Sequence, residues 1–416
     1  MKLRQWQEER LNEAVSIIKS SGKLMLSAPT GAGKTLFALL LGKILNKKII
    51  FFTRTHSEFE SVYKHGKMLG MNVAFLFGKT NACVFADKDV EPDEINCNVC
   101  KLMSKIKELS GSPSEVLEAI KEANDYCPYH SLKQSLKKDK NDVIVLTYPY
   151  LLIKQFRDSL GLNLNDYLIV IDEAHNLLES DKFFSRKITK RAIELALKEL
   201  DLLEEHKLNV KEIREYLTSL HKFISSLVKD GSCHTLSLYP KPSPLVLEQI
   251  MKASNTIVNL NKSPVAKSHL RAVAKFLRIE GTVYNCNGSL VVIPDNIIKD
   301  LDTLFSSLRN VVLMSGTMPN LVFNGFRRID VNISLGKSEY YLCEGVTSMK
   351  RTREINAEKY AEILTNIYND SEKSVLVYFP SYEMLKLVKE KLSVPNIEET
   401  RKMTLKEIIE LMQSKK

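Results

Sequence analysis

Lys23-Leu24-Met25-Leu26-Ser27-Ala28-Pro29-Thr30-Gly31-Ala32-Gly33-Lys34-Thr35 decides the fold. Lys23 to Ser27 reads as a short buried strand, Ala28 to Gly33 as a loop of small residues, and Lys34 to Leu45 as a helix packed on a sheet. Lys48 to Thr53 is the next strand and completes a βαβ unit. A loop ending in Gly-Lys-Thr between a strand and a helix turns its backbone N–H groups onto a phosphate beside the positive helix end. Ala28 stands where such loops usually carry their first glycine. Thr30, Gly31, Ala32, Gly33, Lys34 and Thr35 are therefore the expected nucleotide contacts, with Lys34 on the β and γ phosphates of ATP and the Thr35 hydroxyl on Mg²⁺.

Two further runs, Asp142 to Thr147 and Tyr167 to Ile171, have the composition of parallel strands buried on both faces. The second leads directly into Asp172-Glu173-Ala174-His175, at the carboxyl edge of the sheet, where α/β proteins bind ligands. Asp172 is expected to hold Mg²⁺ and Glu173 to orient the attacking water, so that Lys34, Asp172 and Glu173 form the catalytic set. Upstream, Leu11, Ala14, Val15 and Ile18 recur at helical spacing before the first strand.

From about Ser180 to Ile279 the pattern changes to helices rich in Lys, Arg and Glu, such as Ile188 to Glu205 and Val210 to Val228, which predicts an all-helical insertion. Strand character resumes at Gly281 to Ile293 and Asn310 to Met314, where the first α/β domain is expected to be completed. A second α/β pattern opens near Gly336, with strand Ser374 to Phe379 and helix Glu383 to Leu392, and Arg401 to Lys416 reads as a helix-like, Lys-rich tail.

A chain of 416 residues is too long for one ordinary domain. No apolar run is long enough to span a bilayer, and no apolar stretch followed by small residues marks a signal peptide near Met1. An intracellular, cytoplasmic protein with no membrane partner is the expectation. The net charge of +10 suits a polyanionic partner without requiring one. Lys182, Arg186, Lys187, Lys190 and Arg191, and then Lys267, Arg271, Lys275 and Arg278, form basic rows that a nucleic acid or plain solvent would accept. Tyr148, Tyr150 and Phe75 are either stacking surfaces or core.

Seven cysteines, an odd number, argue against a disulfide framework. Cys83, Cys97, Cys100 and Cys127 follow one another with 13, 2 and 26 residues between. The Cys97-Asn98-Val99-Cys100 clip suits either zinc or an iron-sulfur cluster, and His130 could complete a zinc site with Cys97, Cys100 and Cys127. Cys233, Cys286 and Cys343 lie singly and read as small core or surface residues.

The Gly-Lys-Thr loop and Asp-Glu-Ala-His box together resemble the helicases of superfamily two, and the insertions resemble those of the archaeal XPD DNA repair helicases. The resemblance implies a RecA-like motor domain at 1–80, 131–180 and 281–335, an iron-sulfur module at 81–130, a helical arch at 181–280 and an incomplete second RecA-like domain at 336–416. It implies that Arg4-Gln5-Trp6-Gln7 is an adenine-reading Q motif with Gln7 on the base. Thr53, Arg54, Thr55 and His56 match motif Ia, which grips single-stranded DNA, and Ser315-Gly316-Thr317 matches motif III; His175, Ser315 and Thr317 would couple the ATP and DNA sites. Ser374 to Ser381 looks like motif IV. It also implies a [4Fe-4S] cluster on Cys83, Cys97, Cys100 and Cys127, and ATP-dependent 5′ to 3′ unwinding of single-stranded or forked DNA in repair, with protein partners unspecified. No motif V or VI follows motif IV, so a nucleotide- and DNA-binding fragment without productive unwinding is the alternative.

Overall fold

The computed structural model describes residues 2–398 except 88, 89, 93, 296, 319–322, 335, 337–340 and 373. The Lys-rich tail at 401–416 lies outside the described residues. In chain order the strands are β1 Lys23–Ser27, β2 Ile49–Thr53, β3 Val73–Phe75, β4 Val143–Thr147, β5 Leu168–Ile171, β6 Arg186–Ile188, β7 Cys233–Thr235, β8 Gly281–Cys286, β9 Leu290–Pro294, β10 Val311–Ser315 and β11 Arg327–Asp330. Two units divide the chain, Met1–Leu335 and Gly336–Lys416.

In the first unit seven strands form a parallel sheet in the order β11-β1-β10-β5-β2-β4-β3. Every residue of β2, β4, β5 and β10 is buried, as their unbroken aliphatic runs require when helices cover both faces. Helix α1 (Gln5–Ser20) leads into β1, and α2 (Lys34–Ile44) follows the small-residue loop. The ends of β1, β2, β4, β5 and β10 are in register, Ser27 opposite Ser315 and Thr53 opposite Thr147, so one sheet edge collects the loops that follow them.

The strand signal at Gly281 to Ile293 belongs elsewhere, which corrects the expected end of the helical insertion near residue 280 and its all-helical character. β8 and β9 form a hairpin through Asn287 and Gly288, both at positive φ (52° and 76°), and join β6 and β7 in an antiparallel sheet of order β6-β9-β8-β7. Helices Lys190–Glu205, Lys211–Ser225, Pro244–Leu260 and His269–Leu277 share a hydrophobic cluster with this sheet, centred on Leu200, Leu217, Leu220 and Leu270. It is separate from the cluster beneath the parallel sheet. Antiparallel register sets Cys233 opposite Cys286, and the two form a disulfide across 53 residues of sequence, correcting their reading as lone cysteines.

In the second unit, helices Arg353–Asp370 and Tyr382–Lys389 pack through Ala357, Ala361, Met384 and Val388. Ser374 to Phe379, expected as a strand, pairs with nothing among the described residues, and Leu376, Val377 and Tyr378 are exposed. Aliphatic composition favours a strand, but a strand exists only where a neighbouring strand takes its hydrogen bonds.

Candidate nucleotide and DNA site

The loop between β1 and α2 is held from behind by the first turn of α1. Arg4 Nη1 donates to Gly31 O (2.6 Å), Trp6 Nε1 to Ala32 O (3.1 Å) and Gln7 Nε2 to Gly33 O (3.0 Å). With three successive carbonyls tied to α1, the trans geometry of each peptide turns the paired N–H the other way. Gln7 is 2% exposed, and its Oε1 also accepts the Arg4 N–H at 2.9 Å, so the structure engages both ends of the amide that the sequence suggested for an adenine. Gly33 lies at φ 91°, and a Cβ there would stand 2.9 Å from Gln7 Nε2. Lys34 is buried, with Nζ donating to Ala28 O (3.1 Å) and Pro29 O (3.4 Å) and lying 3.7 Å from Glu173 Oε1. Thr35 occupies the first turn of α2 beside it.

Past the end of β5, Glu173 adopts a left-handed conformation (φ 48°, ψ 45°). The Asp172 carboxyl is pushed up to about 6, first by burial and then by the Glu173 carboxylate. Two adjacent, part-buried carboxylates beside a lysine are a fitting donor set for a divalent cation, which would relieve that repulsion. His175 Nδ1 lies 2.8 Å from Ser315 Oγ and 3.3 Å from Glu173 Oε2, and Ser315 Oγ accepts the Thr317 N–H at 3.0 Å. A Cβ on Gly316 would come within 2.9 Å of Thr30 Oγ1. Glu173, His175, Ser315, Thr317, Thr30 and Lys34 thus meet at the one sheet edge.

Of Thr53, Arg54, Thr55 and His56, the structure leaves Arg54 and Thr55 exposed. Thr53 is fully buried and its Oγ1 donates to Thr55 O (2.9 Å); Glu58 accepts the Arg54 N–H (2.9 Å) and the Thr55 hydroxyl (3.2 Å). His56 turns inward, its ring edge-on to Phe59 and Phe77 at 5.2 Å from each, and accepts the Gly78 N–H on Nε2 (3.3 Å). Thr53 and His56 therefore shape the loop whose surface Arg54 and Thr55 present. Tyr148, Tyr150 and Phe75 are core, at most 5% exposed. Part of the second basic row is paired internally, Arg271 with Asn255 and Lys275 with Glu91.

Cys83, Cys97, Cys100 and Cys127 all line one pocket, with Lys79, Ile95, Met103, Tyr129, His130 and Pro264. Burial pushes the Cys83 and Cys127 thiols up. Among the described residues His130 Nε2 is buried without a hydrogen-bond partner. Among the described residues no three Cys, His, Asp or Glu side chains are grouped to ligate a single ion. The arch closes one side: Asn96 N–H donates to Pro264 O and Ala266 N–H to Glu94 O, both 2.8 Å, around a bridge between Ile95 and Val265. Sequence reasoning missed this contact, as it missed Tyr148 and Asn176 beside Glu173; the signal for Tyr148 was its place just after β4, on the edge that carries Asp172.

A parallel α/β sheet whose edge joins a phosphate-binding loop, an Asp-Glu-Ala-His box and Ser-Gly-Thr defines a P-loop motor domain of the helicase class. Residues 186–294 match the family model "DNA repair helicase XPD, arch domain", and 78–193 match the DEAD_2 family model. The chain is 31% identical to the ATP-dependent DNA helicase XPD of Sulfolobus acidocaldarius over 98% of its own length and 78% of that protein's. The solved structure of S. tokodaii Xpd4 superposes with TM-score 0.75 at 39% identity, covering 99% of this chain and 79% of that one. A second structure, titled XPD_Helicase, gives TM-score 0.75 at 29% identity over 100% of this chain and 79% of its own. The chain belongs to the XPD family of DNA repair helicases. Among the described residues no helix is long and apolar enough to cross a membrane.

Proposed function

We propose that this protein is an ATP-dependent DNA helicase that translocates 5′ to 3′ on single-stranded or forked DNA during repair, inside the cell. The carrying observation is the joining of Lys34, Glu173, His175 and Ser315 through contacts of 2.8 to 3.7 Å at one sheet edge, beside the exposed Arg54 and Thr55. Lys34 binds the β and γ phosphates, Thr35 and Asp172 hold Mg²⁺, and Glu173 orients water for in-line attack on the γ phosphate. His175, Ser315 and Thr317 transmit nucleotide state through the Ser315 hydroxyl. Phosphate release by the chain with and without single-stranded DNA, together with strand displacement on a forked duplex, tests the reading. Lys34→Ala is expected to lose nucleotide binding, and Glu173→Gln to keep it while losing hydrolysis by about 10² to 10⁴. A chain that binds no ATP, or one whose Glu173→Gln variant hydrolyses normally, overturns it.

The cysteine cavity supports a [4Fe-4S] cluster on Cys83, Cys97, Cys100 and Cys127. A tetrahedral zinc, with sulfur at about 2.3 Å, draws its ligands around one point. Four thiols lining one pocket are the Cys₄ set that an iron-sulfur cluster takes. Such a cluster would supply folding energy to a module with little core of its own. The unpartnered His130 Nε2 favours zinc as the second reading.

A further inference from the structure

Glu173 holds a left-handed backbone conformation that a residue with a Cβ disfavours, so something must pin it. Its carbonyl is gripped from two elements: the Tyr148 hydroxyl donates at 3.0 Å, and Asn176 donates through both Nδ2 and its backbone N–H at 2.9 Å. The one proton of that hydroxyl is shared with the Asp172 carbonyl, which lies nearer. Tyr148 is fully buried, with its ring edge-on to Phe183 at a centroid distance of 6.4 Å. Its own backbone N–H donates to Thr53 O at 3.0 Å, at the root of the Arg54–Glu58 loop. One residue therefore touches both the acidic box and the loop that presents Arg54 and Thr55.

We propose that Tyr148 is a positioning residue for ATP hydrolysis: its hydroxyl holds the Asp172–Glu173 backbone so that the Glu173 carboxylate stays beside Lys34, and its main-chain bond to Thr53 ties that aim to the DNA-facing loop. The inference rests on the ATPase reading above. Tyr148→Phe keeps the ring and its packing and removes only the donor. Asn176→Ala releases the same carbonyl from the other side.

Steady-state hydrolysis of Mg·ATP by the 416-residue chain, with and without saturating single-stranded DNA, tests this alongside thermal melting. For Tyr148→Phe, kcat with DNA is expected to fall about tenfold, the order that one hydrogen bond is worth in rate. KM for ATP should change less than kcat, because Lys34 and the loop on the phosphates are not held by Tyr148, and the stimulation by DNA should shrink. Asn176→Ala should show the same larger loss in kcat than in KM. A merely structural role would lower the melting temperature and leave kcat per folded molecule intact, which overturns the proposal. Equal turnover by wild type and Tyr148→Phe also overturns it, including no turnover by either. The two failures are told apart by the wild type: an inactive wild type removes the ATPase reading, whereas an active one matched by Tyr148→Phe removes only the role of Tyr148.

Discussion

His56 is the residue at which sequence pattern and environment part most clearly. Its place in Thr53-Arg54-Thr55-His56 suggests a DNA contact, yet its ring is wedged between Phe59 and Phe77 and accepts a hydrogen bond from Gly78 on Nε2. The Asn81 amide Nδ2 lies 3.4 Å from the other ring nitrogen, Nδ1. Burial lowers the His56 pKa from 6.5 to about 4. The unfolded chain takes up a proton on this residue below pH 6.5, whereas the folded protein resists until about pH 4, so the stabilisation is complete above 6.5 and lost as pH falls through that window. Denaturant midpoints measured between pH 7 and 4 should fall for the wild type, and fall less steeply for His56→Asn. Parallel slopes for the two proteins would show that His56 titrates normally.

At the scale of elements, the cysteine module is a short insertion whose helix Pro113–Glu122, with Pro128–Ser135 after it, leans on the motor core through Val116, Ile120 and Leu132. Its outer part has little to bury, so ligation at the cavity is expected to decide whether it folds. Protein purified without oxygen should be yellow-brown; Cys83→Ser should bleach it or make the colour labile, and His130→Ala should leave it unchanged. Visible absorbance with iron and zinc analysis reads the outcome. A colourless protein with one zinc, indifferent to Cys83→Ser and damaged by His130→Ala, would replace the cluster with a Cys₃His site. Pro264 and Ile95 line the same cavity, so loss of the group should also loosen the arch contact at Asn96 and Ala266.

Among the described residues the buried hydrophobic side chains sort into three clusters, one around the parallel sheet, one in the arch and one between the two helices of the second unit. Clusters that share few residues lose stability separately. Leu220 is fully buried in the arch cluster. Leu220→Ala should cost about 2–5 kcal/mol of arch stability, the range for buried leucines. It should leave the affinity for an ATP analogue untouched, because the loop from Ala28 to Thr35 packs on the other cluster. Hydrogen exchange by segment, paired with nucleotide titration, separates the two, and a parallel loss of both would mean that arch and motor unfold as one.

The strand, loop and helix around Lys34, the aliphatic run before Asp172 and the four cysteines that line one pocket are legible in the sequence. Each is a local pattern: the signal lies within one element or one short motif, and burial on both faces imposes the composition directly. Whatever depends on distant partners follows from the fold. The hairpin Gly281–Pro294 reads as strands from composition, but only pairing with Arg186–Ile188 and Cys233–Thr235 assigns it to the arch and brings Cys233 to Cys286. Gln7 and His56 match motifs by position, but which way their side chains turn is set by Gly33, Phe59 and Phe77. Tyr148 stood in the sequence as an aromatic after a strand; its hold on Glu173 exists because β4 and β5 each pair with β2 and end at the same edge of the sheet, 24 residues apart along the chain. Hydrogen bonds of that kind follow from strand order, and strand order is a property of the folded chain as a whole.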